Sequence, residues 1–143
     1  ETNIPIGIIN SSWGGTIVET WTSLEAANTL PQKRLDRYNK NEKLSPPTEY
    51  FTRTNKEAKR NDYPSLVYNA MIHPLLSFAI KGVVWYQGEN NVGNAEPYTD
   101  WLTCMISDWR NRWNSEYRFI SSNFPTSILL TRHHLGRNTR CSA

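Results

Sequence analysis

Cysteine is scarce in this 143-residue sequence, which holds two, Cys104 and Cys141. Their separation fits neither a metal-binding nor a redox spacing, and two cysteines so placed give no disulfide framework. Long apolar runs are absent as well. No stretch approaches the roughly 20 residues a membrane-spanning helix needs, and no basic segment followed by an apolar one marks a targeting peptide. The first residue is Glu1 rather than Met, which fits a piece of a longer protein. There is no internal repeat and no low-complexity segment. Aromatic residues, by contrast, are plentiful: six Trp and seven Tyr stand in a chain that is 38% hydrophobic and 20% charged. That is too aromatic for a disordered chain and too polar for a membrane protein. A chain of this length makes one domain and, folded alone, buries roughly two thirds of its unfolded surface.

The net charge of +3 hides an uneven distribution. Residues 1 to 30 and 64 to 116 are acidic on balance, whereas residues 31 to 63 carry nine Lys and Arg against five Asp and Glu. The end from 117 onward has Arg118, Arg132, Arg137 and Arg140 and no acid. A basic stripe can be a nucleic-acid footprint. Here Lys33, Arg34, Arg37, Lys40 and Lys43 alternate with Asp36 and Glu42 at spacings that suit a solvated helix face, so neither a nucleic acid nor a membrane is expected as a partner.

Two apolar runs read as buried parallel strands. The first, Ile4-Pro5-Ile6-Gly7-Ile8-Ile9-Asn10, runs into the turn-forming Ser11-Ser12-Trp13-Gly14-Gly15-Thr16. The second, Lys81-Gly82-Val83-Val84-Trp85-Tyr86, runs into Gln87-Gly88-Glu89-Asn90-Asn91. Residues 31 to 62, broken by Pro46-Pro47, suggest one or two surface helices. Tyr68, Met71, Ile72 and Leu75 fall at helical spacing until Pro74 intervenes. The most regular period belongs to Tyr98, Trp101, Leu102, Met105, Ile106, Trp109 and Trp113, which predicts an amphipathic helix over 96–113 with its Trp residues and Cys104 in the core. After Tyr117 the pattern weakens, with a third strand expected around 127–131. Strands alternating with helices imply an α/β fold with a parallel sheet.

In such a fold ligands bind at the carboxyl ends of the strands, which singles out the two polar loops. Gly14 and Gly15 allow close backbone approach and aim N–H groups at a developing negative charge, although the same pair also suits an ordinary tight turn. Gln87 is a candidate oxyanion donor and Glu89 a candidate orienting carboxylate, with a capped strand end as the alternative. No spacing implies a metal or an organic cofactor.

The blocks from Ile4 to Thr16 with Glu19-Thr20-Trp21, from Tyr68 to Leu75, from Ile80 to Asn91, and Asp108-Trp109-Arg110 with Trp113, in this order, resemble the sialate O-acetylesterase family of SGNH-type ester hydrolases. The resemblance covers about residues 3 to 116. It implies a flavodoxin-like three-layer α/β/α fold with a parallel sheet, incomplete in this chain, and a partial esterase domain over 1–117 followed by an unmatched tail over 118–143. The implied activity is hydrolysis of O-acetyl esters of sialic acids by a Ser nucleophile and a His base. It further implies Gly14, Gly15 and Gln87 in an oxyanion hole, Trp13, Glu89 and Asn91 as substrate-binding residues, and a secreted, periplasmic or lysosomal setting.

The family's Gly-Gln-Ser nucleophile block does not occur in these residues. No Asp lies three positions before His133 or His134, where Leu130 and Thr131 stand, and His73 suits a structural role. Two alternatives remain open at this point: another carbohydrate acetylesterase, such as one acting on xylan, and an inactive carbohydrate-binding domain that stacks Trp on sugar rings.

Overall fold

The computed structural model describes residues 3–40, 42–44 and 63–121. The Pro46-Pro47 break, the strand expected at 127–131, His133, His134 and Cys141 lie outside the described residues. Helices combine with a small parallel sheet, in keeping with the α/β expectation. In chain order they are a 3-10 turn Val18–Trp21, helices α1 (Leu24–Ala27) and α2 (Gln32–Leu35), a π-helical turn Tyr68–Ile72 continued by a 3-10 turn His73–Leu75, strand β1 (Gly82–Trp85), a 3-10 turn Glu89–Asn94, helix α3 (Ala95–Trp113) and strand β2 (Arg118–Ser121).

β1, α3 and β2 form one β-α-β unit, the connection that parallel strands require. The strands pair parallel in the register Gly82 with Arg118, Val83 with Phe119, Val84 with Ile120 and Trp85 with Ser121. A Cβ on Gly82 would lie 3.1 Å from the Arg118 carbonyl oxygen, so the strands approach closely there and a side chain would make the ladder give by a few tenths of an ångström. α3 begins with Glu96 and Pro97 in its first turn, both favourable at a helix N-terminus. It ends at Asn114, whose φ of 46° is left-handed, while the Ser115 N–H returns to the Arg110 carbonyl at 3.1 Å; this pattern closes a helix and satisfies its last carbonyls. The helical spacing over 66–75 is realised, and Pro74 falls in the 3-10 turn that ends it.

The core lies on one face of the sheet, between β1, α3 and the Val18–Trp21 turn. Trp21, Trp85 and Trp109 are buried there. Trp21 meets Trp85 edge to face at 5.6 Å, Trp85 meets Trp109 at 5.9 Å, and Trp109 meets Trp113 at 6.1 Å. Such geometry favours aromatic rings beyond their burial alone. Trp101, Met105 and Cys104 are also buried, and the Cys104 thiol points to the Ala26 carbonyl. Ser23 caps α1 by accepting from the Ala26 N–H at 3.2 Å and is itself held by Arg112 at 3.0 Å.

Three expectations are corrected. Residues 3 to 10 form no ladder, and Ile8 is 90% exposed; an apolar run records a demand for burial, and no described strand lies alongside to meet it. β1 is not covered on both faces: Val84 is 81% and its neighbour Ile120 59% exposed, because α3 and the Val18–Trp21 turn pack on the opposite side. The basic segment has α-helix only over α2 among its described residues, and Arg34 is not on a solvated face. Its guanidinium binds Glu96 and Asp100 of α3, at 2.5 and 2.8 Å, whereas Lys33, Arg37, Lys40 and Lys43 are exposed. Among the described residues no helix is long and apolar enough to cross a membrane.

Candidate functional site

The two polar loops singled out by the sequence meet. A turn at Trp13–Thr16 places Gly14 and Gly15 in solvent, with Gly15 at a φ of +74° that L side chains avoid. Thr16, buried at the base of the turn, holds it closed: its hydroxyl donates to the Trp13 carbonyl at 2.9 Å and accepts from the Trp21 indole N–H at 2.9 Å. Trp13 itself is 53% exposed. Across from this turn, the Asn90 amide lies 3.7 Å from where a Gly15 Cβ would stand.

The contact between the loops is made by side-chain amides. Gln87 Nε2 donates to the Thr16 carbonyl at 2.9 Å and to Asn91 Oδ1 at 2.8 Å. The Tyr98 hydroxyl, from the first turn of α3, donates to the Gln87 carbonyl at 3.0 Å and stands 3.3 Å from Gln87 Oε1. Burial pushes the Tyr98 hydroxyl above its ordinary pKa, so it stays a donor. Asn91, 2% exposed, accepts from the Val18 N–H at 3.1 Å and donates to Glu19 Oε2 at 2.9 Å. Glu19 is 1% exposed. A buried carboxyl needs such a partner, since losing water costs it several kcal/mol by order of magnitude. Glu19 also lines a pocket of about 180 Å³ whose walls include Lys33, Arg34, Tyr38 and Glu96.

This geometry sorts the expected site residues. Trp13, Gly14, Gly15 and Glu89 are at the surface where the loops meet. Gln87 has both amide N–H groups turned onto protein acceptors, so in this structure it clamps the loops together rather than pointing a donor outward; the sequence shows that an amide has two donors but not where they go. Asn91 likewise has its amide oxygen and nitrogen engaged behind the loop by Val18, Gln87 and Glu19. Thr16, Glu19 and Tyr98 were not singled out. The signal for Glu19 was its place among residues 18 to 21, whose other members are apolar or small. Ser11 donates to the Met71 carbonyl, 60 positions away, and Ser12 to Asn10 Oδ1, and His73 is exposed beside the Tyr68 ring. Among the described residues no group of three His, Cys, Asp or Glu side chains is placed to hold a metal ion.

No protein-family model matches the chain. It is 35% identical to a sialate O-acetylesterase of Rattus norvegicus, across 78% of this chain and 23% of that protein. Against proteins of the same name from Pongo abelii and Homo sapiens it is 39% and 38% identical, in each case across 77% of this chain and 18% of the relative. The chain thus spans about a fifth of the length of the curated relatives it matches.

Proposed function

The chain belongs to the sialate O-acetylesterase family, and from that premise we propose that its two joined loops form one wall of an ester-hydrolysing site for O-acetylated sialic acids. The supporting observation is the 2.9 Å bond from Gln87 Nε2 to the Thr16 carbonyl, which joins the two loops where Gly15 faces Asn90. In the proposed reaction a serine attacks the acetyl carbonyl and a histidine takes and returns the proton. The N–H groups of Gly14 and Gly15 receive the oxygen as it becomes negative, each worth on the order of 3 kcal/mol in the transition state. Trp13 offers an aromatic face to the sugar and Glu89 an acceptor for its hydroxyls. Gln87 and Asn91 act from behind, through the loop they hold.

Because residues 1–143 contain no Gly-Gln-Ser block and no Asp-x-x-His arrangement, the purified 143-residue chain is expected to hydrolyse no aryl acetate above buffer. The test is acetate release by the product of the whole reading frame, offered O-acetylated sialic acid and acetylated xylan side by side. Faster release from the sialic acid supports the proposal. Preference for xylan overturns the substrate, and glycan binding without hydrolysis overturns the activity.

A further inference from the structure

Glu19 stands at the closed end of a chain of hydrogen bonds that leads to the glycine turn, and we infer that it is a positioning residue for that turn. This rests on the proposal that Gly14 and Gly15 face the acetyl oxygen. The argument is one of direction. A carboxylate only accepts, whereas a side-chain amide has one accepting and one donating end. With Glu19 Oε2 at 2.9 Å, Asn91 must turn its Nδ2 toward the carboxylate. Its Oδ1 then faces Val18 N at 3.1 Å and Gln87 Nε2 at 2.8 Å. That in turn directs Gln87 Nε2 to the Thr16 carbonyl at 2.9 Å and leaves Oε1 for the Tyr98 hydroxyl at 3.3 Å.

Reversing Asn91 would set its NH2 against two donors, the Val18 N–H and the Gln87 amide. Glu19 adds to the Val18 N–H in opposing that reversal and so disfavours this competing arrangement of both amides. In a site where a displacement of about 1 Å costs on the order of 100-fold, fixing the amides fixes the Thr16 carbonyl and with it the turn. Burial of Asn91 keeps water from substituting for the partners of its amide.

Glu19→Gln keeps the shape but admits the reversed arrangement, and Glu19→Ala removes the acceptor. In the 15N-labelled 143-residue chain, both variants are expected to shift the Gly15 and Thr16 backbone amides. They should also speed solvent exchange of the Asn91 and Gln87 side-chain amides, while the Trp109 indole signal stays in place. Unchanged Asn91 and Gln87 signals overturn the inference, and so does displacement of all the Trp indole signals together by Glu19→Gln, which marks a role in folding alone. In the whole-frame product, Glu19→Gln is expected to lower kcat for an aryl acetate about 10-fold and Glu19→Ala about 100-fold, per folded molecule and with KM unchanged. An unaltered kcat overturns it. A parent protein without turnover overturns the proposed function instead, and the amide signals then decide the inference by themselves.

Discussion

Gln87 and Thr16 lie 71 positions apart in the chain and 2.9 Å apart in space, an amide N–H of one on the backbone carbonyl of the other. Thr16 is the last residue of the glycine turn and Gln87 stands two positions past the end of β1. The bond therefore transmits the position of the sheet to the turn: β1 is set by its pairing with β2, and Gln87 carries that placement across.

Gly15 and Gly14 are expected to respond differently to a methyl group. A Cβ at Gly15 would meet only Asn90 Nδ2, at 3.7 Å, so the cost is conformational: a φ of +74° disfavours an L residue by about 1–2 kcal/mol. At Gly14 nothing lies within 4 Å and φ is not positive. Urea unfolding should find Gly15→Ala destabilised by that amount and Gly14→Ala close to the parent.

Trp109 ties α3 to the Val18–Trp21 turn through its indole N–H, which donates to the Trp21 carbonyl at 3.0 Å. Trp109→Phe removes the donor and part of the edge-to-face stack. Leaving a buried carbonyl unsatisfied costs about 1–3 kcal/mol, and the lost ring area adds to it. A drop in unfolding free energy of about 2–4 kcal/mol is expected, checked by denaturant titration.

Sequence periodicity identified what its physics can identify. β1, α3 and the helical turns over 66–75 announced themselves through an apolar run and a 3.6-residue period. β2 did not, because Arg118-Phe119-Ile120-Ser121 is too short and too polar for a two-residue alternation to stand out. The Ile4–Asn10 run misled for the opposite reason: its pattern is strong, but a pattern carries no information about whether a partner strand is at hand. At the site, the loops were legible from their places after apolar runs. The functions of Gln87 and Asn91 were not, since each gives an N–H to an acceptor more than 70 positions away, Thr16 for Gln87 and Glu19 for Asn91. The Thr16 carbonyl and the Glu19 carboxylate reach the opposite loop only through that long-range pairing, and Tyr98 meets Gln87 from 11 positions away.

Alkaline unfolding should involve Tyr68 and Tyr117. Burial, the largest influence on each, pushes both hydroxyls from 10.0 to about 12, and neither oxygen has a hydrogen-bond partner among the described residues. A raised folded-state pKa means that the unfolded chain loses its protons first. Stability from these groups is therefore full below pH 10 and falls as the pH rises toward 12. Ultraviolet titration of tyrosinate should show Tyr68 and Tyr117 among the late-titrating phenols, and Tyr68→Phe should flatten part of the loss.

Acid should weaken the link between α2 and α3. The hydrogen bonds from Arg34 hold the Glu96 carboxyl below the usual glutamate range. A lowered folded-state pKa contributes stability that is complete above that range and lost as the pH falls through it. Parent and Glu96→Gln are expected to differ at neutral pH and to converge in acid, and added salt should narrow the difference because Glu96 is exposed.

The edge-to-face series of Trp21, Trp85, Trp109 and Trp113 also has an optical consequence. Centroid separations of 5.6 to 6.1 Å are short enough for the excited states of neighbouring indoles to couple, and their fixed mutual tilt makes that coupling chiral. Two of these rings stand on α3, one on β1 and one on the turn before α1, so the circular dichroism they generate depends on all three segments being docked. Packing that loosens while helix content survives would abolish this signal first, giving the chain a built-in chromophore for tertiary order.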